Sequence, residues 1–455
     1  MTPKELLLAT IDHKPTPRPA WVPFAGAHAA KLKGYTATEF LQDEDKMVEC
    51  LLEVNRLFRP DGECCIFDLQ IEAEILGCDL VWADDGPPSV ASHPLECDED
   101  DDPVIPCECT IPGPNDGRIP MICNAMKRVK AEVGDTTALY GLITGPFTLA
   151  SHLRGSSIFM DMFDDDEYVH GLLDYCLKVA CKMADYFIEA GMDVIAVVDP
   201  LISQISVNHF EEFMTEPFTA LFKHIKDQGV HNAFFVCGDA TRNIEVMCHT
   251  GCDCISVDEN VDLKAAKAIC DKYNVAVGGN IPLTTTMLHG TQQDNMKWVV
   301  ELLDSIENKE GLIVAPGCDM PFHVPFENTI GCMQSVMQTS QIRELVKDYV
   351  AVDDTMDVEL PDYDALTKPF VEAFTLDPAT CAACTYMVAA SDEAKAVFGD
   401  AIDYKVYKYT IKEDIARTKK MGVPNLPSLY INGKLAFQSI IPSKEELEAA
   451  IRKYL

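Results

Sequence analysis

Two cysteines stand at the ends of apolar runs in the second half of the chain, each beside a glycine and followed by an aspartate. The first run is Phe234 to Asp239, with Cys237, and the second is Ala315 to Asp319, with Cys318. Strands that end in this way would present two thiols at the mouth of a parallel sheet. Two thiolates and a carboxylate that converge there could hold Zn²⁺ with one open coordination position, as a catalytic site requires. The alternative for either cysteine is a small buried hydrophobe.

Eight apolar runs rich in β-branched residues predict the elements that position these thiols. Each run is continuous rather than alternating and is bounded by turn residues, which is typical of buried parallel strands. Amphipathic helices lie between them, most clearly from Asp165 to Ala190. This alternation predicts an α/β fold, a (β/α)₈ TIM barrel over residues 1–345. The runs are Ala20 to Phe24, Glu63 to Phe67, Leu139 to Thr144, Asp193 to Val198, Asn232 to Cys237, Asp253 to Val257, Val275 to Gly279 and Gly311 to Ala315.

Polar residues follow the predicted strands at the end where a barrel of this kind carries its active site. Asp199 follows strand four and Asp258 follows strand six, and both are candidate catalytic carboxylates. The candidate substrate-binding groups at the same end are Asn280, Asp239 and Asp319. The Met and Phe residues of Phe159 to Phe163 could line a hydrophobic mouth, with core packing as the alternative.

A smaller α/β pattern follows an acidic segment, residues 346–366, that lacks periodicity and is predicted to be a linker. Residues 367–455 have the order β-α-β-α-β-β-α, with Cys381 and Cys384 at the start of the first helix. This order, with Pro427 just before the third strand, resembles a thioredoxin-like domain. The resemblance implies that Cys381 attacks, that Cys384 resolves the mixed disulfide and that Pro427 is the cis-proline beside the redox pair. A degenerate domain kept for docking is the alternative.

Composition excludes several classes of partner. The formal net charge is −36 over 455 residues, so long-range repulsion disfavours nucleic acid and anionic membranes. No apolar run is long enough for a spanning helix, and the N-terminus lacks the pattern of a secretion signal. The 19 cysteines are scattered along a large core-bearing chain, which favours a reducing cytoplasm over a disulfide framework.

Several stretches along the predicted barrel resemble the uroporphyrinogen decarboxylase superfamily. Within it they are most similar to the methyltransferase branch, the methylcorrinoid:coenzyme M and methylcorrinoid:tetrahydrofolate enzymes. The similar pieces follow one another in the family's order along the whole barrel. They are Phe67 to Gly77, Thr144 to Ala150, Asp199-Pro200 with Phe213 to Pro217, Ser256 to Glu259, Gly279-Asn280, and Pro316 to Cys318 followed by Pro325, Glu327 and Asn328.

The resemblance implies a zinc site with one altered ligand. Zinc-dependent members of the branch hold the metal by a His-x-Cys pair after strand five and a cysteine after strand eight, which correspond to Cys237 and Cys318. Phe235 stands where the histidine would be and cannot ligate a metal. Zinc with Glu259 as the substitute ligand is therefore one expectation, and a metal-free site is the other.

The activity implied by the branch is transfer of a methyl group from a methylated corrinoid protein to a thiol or tetrahydrofolate acceptor. The chain has no Asp-x-His-x-x-Gly corrinoid-ligating motif, so the corrinoid should arrive on a separate protein. The C-terminal domain suggests a thiol acceptor or redox maintenance of Cys237 and Cys318. Porphyrinogen decarboxylation is an alternative, although residues 24–33 lack the arginines that would neutralise a polycarboxylate. A non-catalytic corrinoid- or tetrapyrrole-binding barrel with a thiol–disulfide oxidoreductase domain is the third.

Overall fold

The chain folds into two compact units, Met1–Ala351 and Val352–Leu455. The computed structural model describes residues 1–97, 103–350, 356–376, 382–438 and 441–455. Each unit has its own hydrophobic core.

The first unit is built on eight parallel strands in one sheet, so the predicted (β/α)₈ barrel is confirmed. The strands are β1 (Ala20–Trp21), β2 (Gly62–Cys64), β3 (Ala138–Thr144), β4 (Val194–Val198), β5 (His231–Val236), β6 (Cys254–Val257), β7 (Ala276–Ile281) and β8 (Leu312–Pro316). Each strand pairs with its neighbour in the chain from β2 to β8, and β1 pairs with β8, which gives an almost closed barrel.

Helices connect these strands, and the longest, Asp166–Glu189, begins where the Asp165 carboxylate accepts the N–H of Tyr168 at 3.0 Å. A short hairpin pairs Leu80–Val81 with Ser89–Val90. In the described part of the chain, no helix is long and apolar enough to cross a membrane. The other helical segments of this unit are Pro3–Ile11, His28–Lys31, Ala37–Gln42, Glu44–Phe58, Ile71–Ile75, Glu108–Thr110, Ile119–Val133, Pro146–Arg154, Gly155–Ser157, Ile158–Asp164, Pro200–Gln204, Val207–His209, Phe210–Met214, Thr215–Asp227, Thr241–Asn243, Ile244–Cys248, Leu263–Cys270, Asp271–Tyr273, Leu283–Leu288, Gln292–Ser305, Phe326–Met337 and Thr339–Val346.

The interior of the barrel is a packed core of small, aliphatic and aromatic side chains. Alanines on β4, β5, β7 and β8 leave room for Phe24, Tyr140 and Phe235. Cys237 and Cys318 pack against this core and are only partly buried. They therefore form the last layer below the mouth, where the strands end.

The second unit has a four-stranded sheet and helices that flank it. β9 (Phe370–Thr375) is parallel to β10 (Asp403–Lys408) and antiparallel to β11 (Ser428–Ile431), which pairs antiparallel with β12 (Lys434–Gln438). This is the predicted order β-α-β-α-β-β-α, and the thioredoxin-like fold is confirmed. Its helical segments are Tyr363–Ala365, Ala382–Phe398, Gly399–Ala401, Lys412–Lys420 and Lys444–Arg452.

Candidate functional site at the barrel mouth

The two cysteines that end β5 and β8 meet over the barrel interior. Cys237 and Cys318 are joined by a disulfide, with their Cα atoms 5.9 Å apart. Their strands are separated in the sheet by β6 and β7, so the bond spans the mouth rather than joining adjacent strands. The sequence predicts that the two thiols converge, but it does not predict a bond between them.

A layer of aromatic rings lies directly beneath the cysteines. Phe235 is fully buried, and its ring centroid lies 4.8 Å from that of Phe24 and 5.6 Å from that of Phe67. The residue at the position of the family histidine therefore points into the apolar interior. We call these three rings the aromatic floor.

Two acidic side chains after β6 are tied to the loops around the cysteines. Asp258 is buried and accepts hydrogen bonds from the backbone N–H of Asn260, at 2.9 Å, and of Gly238. Glu259 Oε2 accepts the N–H of Leu283 at 2.6 Å. Burial raises the pKa of Asp258, and burial with the neighbouring Asp258 raises the pKa of Glu259 to about 8. Glu259 is therefore mostly protonated at neutral pH.

Asn280, at the end of β7, uses its amide to hold the β6 loop. Its Nδ2 donates to the carbonyl oxygen of Asp258 at 2.8 Å and to that of Val261 at 2.7 Å. Both amide protons are thus engaged by the protein itself. Asn280 positions Asp258 rather than offering these donors to a ligand.

Asp199 lies at the end of β4, and its carboxylate caps a helix. Oδ2 accepts the N–H of Phe147 at 3.0 Å, and Oδ1 accepts the N–H of Thr148 at 3.1 Å and its hydroxyl at 2.6 Å. These donors belong to the first turn of Pro146–Arg154, where an anion is favoured. Burial raises the pKa of Asp199 to about 7 despite these donors.

The aspartates that follow the two cysteines differ in their surroundings. Asp239 is partly exposed, and its Oδ1 accepts the N–H of Thr241 at 3.1 Å. Asp319 accepts the N–H of Ala27, but its Oδ1 is buried and has no hydrogen-bond partner among the described residues. Burial raises the pKa of Asp319 well above its ordinary value.

A buried acid after β2 belongs to the same end of the barrel and is missing from the sequence-predicted set. Asp68 is buried and pairs with Arg118, whose Nη1 donates to it at 2.7 Å. Asp68 also lies close enough to Asp319 to raise the pKa of that carboxyl. A carboxylate directly after the apolar run that ends at Phe67 was the available signal.

The geometry of the mouth does not fit the predicted zinc ion. The sulfurs of Cys237 and Cys318 are bonded to each other and have no thiolate to offer. Phe235 is packed in the aromatic floor. Within the described ranges, no group of three or more His, Cys, Asp or Glu side chains is placed to hold a metal.

The second unit carries part of the predicted redox motif. Cys384 is buried near the start of helix Ala382–Phe398, and its sulfur accepts the N–H of Leu376 at 3.3 Å. The peptide bond between Leu426 and Pro427 is cis. Cys381, the predicted attacking thiol, lies outside the described residues.

Known proteins resemble the barrel over most of their length. The chain is 28% identical over 333 residues to the methylcobamide:CoM methyltransferase MtbA of Methanosarcina acetivorans, which covers 72% of this chain and 95% of the relative. It is also 28% identical over 257 residues to the uroporphyrinogen decarboxylase of Nostoc punctiforme, covering 55% of this chain and 70% of that protein. A solved methyltransferase from Methanosarcina mazei superposes with a TM-score of 0.67 at 22% identity, over 75% of this chain and 99% of that structure, and supports the fold.

Two family descriptions match separate parts of the chain. The thioredoxin domain description matches residues 375–452. The description Uroporphyrinogen decarboxylase (URO-D) matches residues 2–338, which is the strand-and-helix set of the barrel together with its mouth. The chain therefore belongs to the uroporphyrinogen decarboxylase (URO-D) family.

Proposed function

We propose that the barrel transfers a methyl group from a methylated corrinoid, carried on a separate protein, to a thiol acceptor bound at the mouth. One observation carries this proposal. The cysteines that meet over the aromatic floor do so in a barrel that matches a methylcobamide:CoM methyltransferase over 95% of that relative's length.

The reaction needs a thiolate and a base. The acceptor sulfur bonds to the methyl carbon while the cobalt–carbon bond breaks. The electron pair of the cobalt–carbon bond stays on the corrinoid, which leaves as Co(I). The thiol proton must leave before or during this attack. Asp258 is the better placed of the two catalytic candidates, because its bond to Gly238 holds it beside Cys237 and burial raises its pKa. Asp199 instead holds the first turn of helix Pro146–Arg154.

Hydrogen bonding favours a thiol over a pterin as the acceptor. A pterin ring would need free polar groups at the mouth, for which Asp199 and Asn280 are the candidates. Asp199 accepts from Phe147 and Thr148, and both amide protons of Asn280 are donated to backbone carbonyls. A thiol needs fewer directional hydrogen-bond partners than a pterin. Tetrahydrofolate is the second acceptor to test.

The charge at the mouth disfavours porphyrinogen decarboxylation. The substrate of that reaction carries many carboxylates and needs fixed cations to neutralise them. Residues 24–33 contain no arginine, and the polar groups that end β4, β5, β6 and β8 include five acids. They are Asp199, Asp239, Asp258, Glu259 and Asp319.

An exposed apolar pair suits the docking of a corrinoid protein. Met160 and Phe163, on helix Ile158–Asp164, are 51% and 68% exposed. The ring of Phe163 lies 4.8 Å from that of His209, which comes from the segment after β4. Apolar side chains left open to water are typical of contact surfaces.

The test follows the loss of methyl–cobalt absorbance, with free methylcobalamin as donor and 2-mercaptoethanol or tetrahydrofolate as acceptor. We expect transfer to the thiol, loss of activity in Cys237→Ser and Cys318→Ser, and a decrease of about 10²-fold in Asp258→Asn. Cys248→Ser, a buried cysteine away from the mouth, is the matched control and should keep the parent rate. Release of carbon dioxide from a porphyrinogen substrate, with no methyl transfer, would overturn the proposal.

The zinc prediction is kept for the reduced chain only. Once Cys237 and Cys318 are free thiols, they and Glu259 would supply three ligands of the types that Zn²⁺ accepts. Elemental analysis of the reduced parent should then find one equivalent of zinc that is lost in Cys237→Ser and Cys318→Ser. Zinc that is unchanged in both variants, or absent from the reduced parent, would refute this site.

A further inference from the structure

The disulfide at the barrel mouth lies in a part of the fold that strand pairing already holds together. Cys237 and Cys318 are 81 residues apart, and the strands that precede them, β5 and β8, are each paired with a neighbouring strand on both sides. Their Cα separation of 5.9 Å lies within the usual range for a disulfide. The backbone therefore brings the two sulfurs together without displacement.

Two glycines fix the cysteines in this position. Gly238 has φ +85°, and a Cβ there would lie 2.7 Å from the hydroxyl oxygen of Ser203. A Cβ on Gly317 would lie 2.8 Å from the backbone nitrogen of Glu259. Both turns are therefore tightly packed, which holds the backbone beside the two cysteines in place.

The mouth pair differs from a buried pair of close cysteines. Cys248 and Cys270 have their sulfurs 3.9 Å apart, yet both are buried and they are not bonded. Cys237 and Cys318 are partly exposed at the end of the barrel where substrates enter. Thiol–disulfide exchange requires access to a sulfur atom, which the mouth pair has and the buried pair lacks.

Acidic side chains lie around the pair. Asp319 follows Cys318 directly, Asp239 stands two residues after Cys237, and Asp258 accepts a hydrogen bond from the backbone N–H of Gly238. Thiolates at this position would stand among these carboxyl groups, whereas a disulfide carries no charge. The oxidised pair is therefore compatible with its surroundings.

We propose that Cys237 and Cys318 form a redox-active disulfide that exchanges with dithiols of the Cys-x-x-Cys class, and that the mouth supports methyl transfer only after reduction. The second part rests on the proposed function. One thiolate of the dithiol attacks a sulfur of the disulfide, and the other cysteine sulfur leaves and takes a proton. The second dithiol sulfur then displaces the first cysteine, so two electrons and two protons pass to the barrel and the dithiol becomes a disulfide.

The exchange is tested on the full chain with dithiothreitol as the dithiol. Samples are equilibrated at graded ratios of reduced to oxidised dithiothreitol, the free thiols are blocked with N-ethylmaleimide, and the digested peptides are analysed by mass spectrometry. We expect a linked Cys237–Cys318 peptide at the oxidising end and two blocked peptides at the reducing end. The fraction of linked peptide should follow the same curve whether the samples start from the oxidised or from the reduced chain. Absence of the linked peptide at every ratio, or its persistence in excess dithiol, would overturn the proposal.

Matched measurements separate this proposal from the methyltransferase proposal. The variant pair Cys248→Ser and Cys270→Ser should leave the exchange curve and the methyl transfer rate unchanged, whereas Cys237→Ser should abolish the linked peptide. Methyl transfer should follow the fraction of reduced pair. Equal transfer by the fully oxidised chain would refute the redox control. A reversible bond with no methyl transfer in either form would uphold the exchange and refute the proposed function.

Discussion

Glu63 carries a carboxyl group into the wall of the barrel, on β2. Its Oε2 accepts a hydrogen bond from Asn55 Nδ2 at 2.7 Å, and its Oε1 is buried with no partner among the described residues. Burial raises the pKa of Glu63 to about 8, so the folded chain keeps this group protonated at neutral pH. An unfolded chain would ionise it near its ordinary value.

This difference predicts a pH-dependent effect of Glu63→Gln on stability. Because the folded-state pKa is raised, the stabilisation from Glu63 is complete below its unfolded pKa and is lost as the pH rises toward about 8. Glutamine does not ionise, so the free energy of unfolding of the variant should rise relative to that of the parent by about 1.4 kcal/mol per pH unit across this window. Urea unfolding of both proteins between pH 5 and pH 9 measures the gain, and a constant difference would contradict it.

Gly26 and Asp319 supply a second prediction for single residues. A Cβ at position 26 would lie 2.2 Å from Oδ1 of Asp319, so Gly26→Ala must displace that carboxyl group. We expect the variant to lose about 1–3 kcal/mol of stability and much of its methyl transfer. The double variant with Asp319→Ala should recover most of the stability, because the clash is removed. Additive losses in the double variant would show that the two positions do not interact.

Among the elements, the strands and the convergence of their ends could be predicted from the sequence. Continuous apolar runs bounded by turns predict buried strands, and parallel strands bring their carboxyl ends together. Cys237 and Cys318 were therefore expected to be neighbours. The capping of helix Pro146–Arg154 by Asp199 and the pairing of Asp68 with Arg118 depend on side-chain contacts between distant segments. Neither periodicity nor local spacing encodes such contacts.

In the second unit, one ion pair ties β9 to the helix Lys412–Lys420. Arg417 Nη2 donates to Glu372 Oε1 at 2.5 Å and to the hydroxyl of Tyr363 at 2.8 Å, and Tyr363 donates to Glu372 Oε2 at 2.7 Å. Glu372 is fully buried and Arg417 nearly so. Removing one member would leave a charge buried without its counter-ion.

This network predicts a graded series of variants. Arg417→Met should destabilise the unit by about 3–5 kcal/mol, whereas the double variant with Glu372→Gln should recover part of that loss. Tyr363→Phe should cost about 1 kcal/mol. Hydrogen exchange of peptides from residues 382–438 in the full chain reports the opening free energy of this unit. Equal losses in all three variants would contradict the ion-pair explanation.

For the whole molecule, two units with different chemistry lie on one strongly acidic chain. The thioredoxin domain matches residues 375–452, while the family match of the barrel ends at residue 338. The net charge of −36 favours partners with neutral or basic contact surfaces over polyanions. The corrinoid protein proposed as partner should therefore carry such a surface.

The redox activity predicted for the second unit has its own test. The full chain should accelerate the reduction of insulin by dithiothreitol, because the Cys381–Cys384 motif matches a thiol–disulfide exchange pair. Cys381→Ser should abolish this acceleration, and Cys248→Ser is the matched control. If the Cys381→Ser variant still accelerates insulin reduction, the reductase activity belongs to other residues. If the parent does not accelerate insulin reduction, the result favours the alternative of a domain kept for docking.

The aromatic floor also constrains the order of events in catalysis. Phe24, Phe67 and Phe235 pack in the barrel interior below the cysteines, so we expect a small acceptor to reach the cysteines through the entrance at the mouth. A corrinoid protein that docks over this entrance would shut out a small acceptor that had not yet bound. We therefore expect compulsory-order kinetics through a ternary complex, in which the acceptor binds before the methyl donor. Excess donor protein should inhibit the reaction, and this inhibition should be competitive with respect to the acceptor.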